Sequence, residues 1–388
     1  MYVALKIGLG LAVCLLLLAA LLAAWLWPRY PYGPVQKPPF ELQRDAANPA
    51  ISAALHPSLQ AKNSEGGYTN INGPSVIRVP VWVDNPLGRY YLYFAHHKGN
   101  HIRLAYAERP TGPWTLHEGG ILSLAESGFP TDLTHNGPGT GLRDLWDTFS
   151  VHVVRDYLLL ADRATRSDQQ IRKARGISIA ANAAAHIASP DVIVDNTNQR
   201  LLMYFHGMNG NSYQSSRIAE SSDGVSFKVL EEGVFSTYLR GFNYRDHHYV
   251  LGMPGVIYRS NRPDGGFQPR DRILFEPAMR HAGVWVEHNS LNVLWSRVGD
   301  APEQLLYSVV NLSAPDWNDW IASEGTPILQ AEATWEGADL PVLPSLRGEL
   351  DLPAHELRDP FVLVDRDGQK YLYYVGSGEQ AIGVATLQ

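Results

Sequence analysis

The sequence predicts an all-β protein, a five-bladed β-propeller preceded by an N-terminal transmembrane helix. Three observations carry that expectation. A unit of an apolar strand, an aromatic strand and a strand ending in small residues recurs along the chain, and Gly-aromatic or Asp-Gly turns punctuate it in register. Repeated four-stranded units of roughly 40–50 residues are what propeller blades look like in sequence. The last unit stops after three strands at Gln388, so a strand from elsewhere must complete its sheet.

The N-terminus comes first. Ile7 to Trp27 is an apolar run without charge, flanked by Lys6 and Arg29. About 20 apolar residues span a bilayer core. The run ends Trp25-Leu26-Trp27-Pro28, a poor cleavage context and a good interfacial aromatic anchor, so an uncleaved anchor (1–29) is expected rather than a removed signal peptide. Lys6 and the amino terminus favour a cytoplasmic N-terminus, which puts the globular part on the periplasmic or extracellular side. Five prolines across residues 28–39 (Pro28, Pro31, Pro34, Pro38 and Pro39) make 30–39 a stiff spacer. Cys14 is the single cysteine, so the outer domain has no disulfide.

From residue 40 onward the units follow one another. Residues 40–72 have no clear period and are the obvious donor of the missing strand. Unit one holds Gly73–Val79, Tyr90–Phe94 and Ile102–Ala107, and turns at Thr111-Gly112-Pro113-Trp114. Residues 123–185 interrupt the pattern as an insertion, with a sixth blade as the lesser reading. Unit two holds Ser189–Val194, Leu201–Phe205 and Arg217–Ser221, and turns at Asp223–Phe227. Units three, four and five begin near Tyr238, Met279 and Leu357. A sandwich of similar hairpins is the competing architecture, and the turns in register favour the propeller.

Composition narrows the partners. A formal charge of −7 with 18% charged residues offers no dense cationic stripe, which excludes nucleic acid as a natural partner. Aromatics at 10%, 34 Gly and 26 Pro suit a strand-rich, turn-rich chain. No nucleophile elbow, phosphate loop or dinucleotide fingerprint occurs.

Topology then selects candidate residues. The start of each inner strand and the end of the next strand share one end of the channel, because the two run antiparallel. That rule collects Asn72, Ser75, His96 and His97 from unit one, Asp191, His186 and His206 from unit two, and Arg240 from unit three. Unit four adds Arg280, His281, Ser296 and Arg297, and unit five Arg358 and Asp359. Of these, Asp191 and Asp359 are candidate catalytic carboxylates. His96, His97, His206, Arg240, Arg280, His281 and Arg358 are candidates for binding substrate. Glu336, on a loop that could lean over the mouth, is a third candidate acid beside Asp339. Neither HxH nor HExxH spacing occurs, so no metal and no cofactor are expected.

The chain resembles the five-bladed propeller superfamily of glycosidases that includes arabinanases, levansucrase and invertase, mainly glycoside hydrolase family 43, over about residues 70–388. Ser189-Pro190-Asp191-Val192 is similar to the blade-two opening that carries the family's pKa-modulating Asp. Arg358-Asp359-Pro360 is similar to an element of the invertase branch whose Asp contacts sugar hydroxyls. The pattern departs at blade one, where the family's Asp-Pro general base is replaced by Asn72-Gly73-Pro74. The family's Glu-Gly-Pro general acid is echoed only by Glu336-Gly337-Ala338, later in the chain than expected.

The resemblance implies a glycan partner and leaves three activities open. Hydrolysis needs two carboxyl groups flanking the bond, here Asp191 with Asp359 or Glu336. Elimination on a uronate-containing chain would use a histidine base and arginines on the substrate carboxylate. A glycan-binding ectodomain without turnover is the third. Hydrolysis is the favoured expectation.

Overall fold

A computed structural model describes residues 32–59, 70–97, 99–132, 185–209, 214–234, 236–276, 278–350 and 352–388, with a helical turn at 16–18. Most of the expected membrane anchor, and nearly all of the insertion expected at 123–185, lie outside these residues. Among the described residues no helix is long and apolar enough to cross a membrane.

Among the described residues, twenty-one strands form five antiparallel sheets, one per blade. Blade 1 is β3 (Asn72–Arg78), β4 (Tyr90–Ala95), β5 (His101–Ala107) and β6 (Thr115–Ser123). Blade 2 is β7 (Ile187–Asp195), β8 (Arg200–Met208), β9 (Gln214–Ser221) and β10 (Lys228–Val234). Blade 3 is β11 (Thr237–Tyr244), β12 (His247–Met253), β13 (Val256–Ser260) and the two-residue β14 (Gln268–Pro269). Blade 4 is β15 (Met279–Glu287), β16 (Ser290–Arg297), β17 (Leu305–Asn311) and β18 (Thr326–Leu329). Blade 5 combines β19 (Arg358–Val364), β20 (Lys370–Gly376) and β21 (Ala381–Leu387) with the N-terminal strands β1 (Leu42–Arg44) and β2 (Ile51–Ser52), both paired to β21. The strand that completes the last blade therefore comes from before residue 72.

The period-2 alternation of a strand explains the apolar runs. In β4, Tyr91, Tyr93 and Ala95 enter the core between blades 1 and 2, while Tyr90, Leu92 and Phe94 enter the core between blades 5 and 1. Strand β8 divides the same way, with Leu201, Met203 and Phe205 on one side and Leu202 and Tyr204 on the other. Each sheet is buried on both faces, so its middle strand is apolar throughout. The core is five wedges between neighbouring blades, and each fully buried large side chain contributes about 1.5–3 kcal/mol.

One irregularity repeats in every blade. The ladder between the first two strands slips between Asn72 and Ser75, Ala188 and Asp191, Thr237 and Arg240, Met279 and Ala282, and Arg358 and Phe361. These bulges bend the inner strands around the channel at one end. In four blades the bulge holds a left-handed residue: Gly73 (φ 59°), Ser189 (φ 48°), Tyr238 (φ 55°) and Asp359 (φ 49°). Three of those four are not glycine, and left-handed non-glycine backbone concentrates at functional sites.

Candidate functional site

The bulges converge on the channel axis, where Arg240 is buried. Its guanidinium donates to the carbonyls of Pro74 (3.1 Å), Pro190 (3.0 Å) and Ala282 (2.8 Å) and to Asp191 (3.2 Å), and lies 5.3 Å from the Phe361 ring centroid. Arg240 thus touches all four other blades. Burial lowers its pKa against the opposing pull of Asp191.

Asp191 is half of that plug. Its second oxygen accepts the Gly241 N–H of blade 3 at 2.7 Å. Ser75, at the same bulge position of blade 1, accepts the Val192 N–H of blade 2 at 2.9 Å. The two side chains perform the same inter-blade link, one position apart around the ring. Burial raises the Asp191 carboxyl, with Arg240 opposing.

Around this plug lies a buried polar cluster. The Tyr238 ring packs tilted against His281 (centroids 3.6 Å apart) and His206 (4.3 Å), and its hydroxyl lies 2.7 Å from His97 Nε2. The other nitrogen of His97 is 3.3 Å from Glu379 Oε2. His281 abuts the Asp359 carboxylate, whose second oxygen accepts the Gly73 N–H at 3.0 Å. Two carboxylate–imidazole pairs, His97–Glu379 and His281–Asp359, therefore flank one phenol.

The electrostatics of the two pairs differ. Burial alone would depress His97, but the Glu379 charge outweighs it and raises His97 above its ordinary value. Burial would raise Glu379, yet His97 and Arg358 pull it down to about 2. His281 is held far below its ordinary value by burial and by the charge of Arg280. Burial, then Glu379, raises the Tyr238 phenol.

Arg280 and Arg358 were expected to receive substrate. Arg280 donates to Glu303 (2.8 and 3.1 Å), and Arg358 pairs with Glu356 (2.9 Å) and Glu379 (3.1 Å). Both also reach carbonyls of the Leu346–Gly348 loop. These guanidinium groups are spent on internal carboxylates, so a uronate would have to displace a buried ion pair. His96 is half-buried at the turn after β4, where its carbonyl accepts the Gly99 N–H. Arg297 pairs with Glu276 away from the cluster.

Glu336 is not brought to the cluster. It receives Arg44 (2.8 Å), the Tyr374 hydroxyl (2.6 Å) and the backbone N–H groups of Glu332 and Ala333. Its carboxylate latches β1 onto blade 5. Burial tends to raise it, but these hydrogen bonds, Arg44 foremost, hold it below the usual carboxylate range.

Two residues that do meet at the cluster, Tyr238 and Glu379, were not singled out in the sequence. Tyr238 occupies the bulge position of Gly73, Ser189 and Asp359, so alignment of blades by their slip would have found it. Glu379 follows the end of β20, where the rule that selected His97 and His206 also applies. His186 shares that end of the channel and approaches His97 and His206, with ring centroids 5.8 and 5.7 Å away. One ring nitrogen from each of these three histidines lies within 4.8 Å of the others. No HxH or HExxH spacing marks this cluster, because its members come from positions as far apart as 97 and 206. Among the described residues neither ring nitrogen of buried His206 has a hydrogen-bond partner, an arrangement that costs about 1–3 kcal/mol for an unpaired group.

No protein-family model matches the chain. It is 29% identical over 346 residues to the uncharacterized protein R118 of Acanthamoeba polyphaga mimivirus, covering 82% of this chain and 83% of that one. Among solved structures, a provisionally named glycoside hydrolase of Bacteroides ovatus aligns with a TM-score of 0.55 at 10% identity, over 91% of this chain and 97% of its own. A provisionally named glycoside hydrolase of Parabacteroides distasonis aligns at 0.54 and 11% identity, over 89% and 96%. At these identities the likeness is one of fold alone, the five-bladed β-propeller.

Proposed function

We propose that this protein is a carbohydrate-active ectodomain, held at the membrane by residues 7–27, that cleaves a glycan at the bulge end of its propeller channel. The observation that carries the reading is the pair of carboxylate–imidazole units flanking Tyr238. A histidine oriented by a carboxylate is a general base, and a neighbouring phenol or imidazole supplies or takes the second proton. The reading assigns proton transfer to His97–Glu379 and His281–Asp359. It leaves Asp191 and Arg240 as the scaffold that aims the bulges, and Glu336 as a latch. Glycosidic hydrolysis is the reaction class in keeping with the fold.

Elimination is the weaker reading, because Arg280 and Arg358 are already neutralised by Glu303, Glu356 and Glu379. Binding without turnover is favoured by one observation, the glycine at position 73 where the family places an acid.

The test is incubation of the full chain in detergent with neutral and uronate-containing polysaccharides, following reducing ends and absorbance near 235 nm together. Reducing ends alone, lost in His97→Gln, are expected. Both signals would replace hydrolysis with elimination, and glycan capture without either signal would leave binding only. The anchor is tested by fractionation. The full chain should sediment with membranes, and a chain beginning at residue 32 should not.

A further inference from the structure

We propose that His97, His186 and His206 form a binding site for one transition-metal dication of the zinc class, open to a further ligand. The inference does not depend on the glycan reading, and with a metal bound His97 serves as its ligand, leaving proton transfer to His281–Asp359. It rests on four features of the cluster.

The first is geometry. The three imidazoles surround a common point with centroids 5.7–6.3 Å apart and planes at 60–84° to one another, so their edges turn inward. Zinc–nitrogen bonds of about 2.0–2.1 Å in a tetrahedron require nitrogens about 3.4 Å apart. Ring nitrogens already within 4.8 Å reach that separation by small rotations of the side chains.

The second is the orphaned acceptor. His206 is fully buried and both its nitrogens lack hydrogen-bond partners among the described residues. A cation gives its lone pair a partner that nothing else in the cluster supplies.

Third, the surrounding shell has the chemistry of a metal site. A ligating histidine usually directs its other nitrogen at a carboxylate or amide, which fixes the ring. Glu379 stands 3.3 Å from His97 Nδ1, leaving Nε2 facing the cluster, and the Gln214 amide stands 3.3 Å from His186 Nε2. The Tyr238 hydroxyl places an oxygen beside the three rings.

The last is the donor set. Three imidazole ligands without thiolate suit zinc, cobalt or copper rather than calcium or magnesium, which prefer oxygen.

The experiment uses the full chain in detergent, stripped with EDTA and titrated with Co²⁺, then with Zn²⁺ as competitor. The expected result is visible absorption of a low-symmetry cobalt site that saturates at one equivalent and is abolished by zinc. His206→Ala and His186→Ala should weaken binding at least about 100-fold, and Glu379→Gln about 10–100-fold. His288→Ala, at an exposed hairpin tip, should change nothing. No cobalt spectrum in the wild type, or an unchanged one in both histidine variants, overturns the proposal. If those variants do not fold, X-ray absorption of the wild-type zinc complex decides. A shell of three imidazoles sustains the site, and a shell of other ligands rejects it.

Discussion

Arg240 lies at the axis of the ring and was expected from its sequence position to bind substrate. Its partners are instead three backbone carbonyls, Asp191 and the face of Phe361. Breaking a buried ion pair by removing one partner costs about 3–5 kcal/mol, because the other charge is stranded. Arg240→Ala should therefore lower stability by about that amount in urea unfolding. Asp191→Asn keeps an acceptor for the Gly241 N–H but strands the Arg240 charge, and should cost a similar amount. If Asp191→Asn abolished turnover with stability unchanged, the scaffold role assigned to Asp191 would be wrong. Sequence position identified both residues as inward-facing at the correct end of the channel. What each one touches depends on the four other blades, and no local pattern reports that.

At the scale of the element, the repeated bulge decides which side chains reach the mouth. Where a regular strand would alternate in and out, the slip turns successive residues toward the axis. Gly73 shows the constraint most clearly. Its φ is 59°, and a Cβ there would sit 2.7 Å from the Ser189 Cα of the next blade. That contact is with backbone, which cannot swing aside. Gly73→Ala should cost about 1–3 kcal/mol, read as a drop in the urea midpoint, and Gly73→Asp should not create an acid-assisted hydrolase. A gain of activity in Gly73→Asp would show that the mouth tolerates the family's first-blade acid. The missing Asp-Pro was legible in the sequence. Its physical reason, two bulges in near contact across a blade boundary, was not.

The whole molecule is closed by β1 and β2 on the outer side of β21, with Leu42 opposite Leu387 and Ile51 opposite Ile382. Removing them would bare the edge of β21 as a template for aggregation. A chain beginning at residue 54 should unfold at lower denaturant and associate, compared with one beginning at residue 32, in parallel unfolding and light-scattering measurements. The closure is fastened by Arg44 on Glu336, which makes it pH-dependent. Glu336 has a depressed pKa in the folded state, so its stabilisation is present above its unfolded value near 4.5 and is lost as pH falls below that. Between pH 6 and 3, Glu336→Gln should flatten the acid limb of stability by about one proton's worth of slope. An unchanged slope would remove Glu336 from the account of acid unfolding.

By itself the sequence determined the blade count, the order of the strands, the need for a closing strand and the end of the channel where polar residues gather. Those properties are written locally, in period-2 apolar runs and in turns with glycine, proline and aspartate. Tertiary structure alone decided which polar residues meet. It joined Glu379 to His97, placed Tyr238 between His206 and His281, and paired Arg358 with Glu379 and Glu356. Ring closure brings residues hundreds of positions apart within hydrogen-bond distance. Burial then requires each charge to find a partner, and that selection operates through space rather than along the chain.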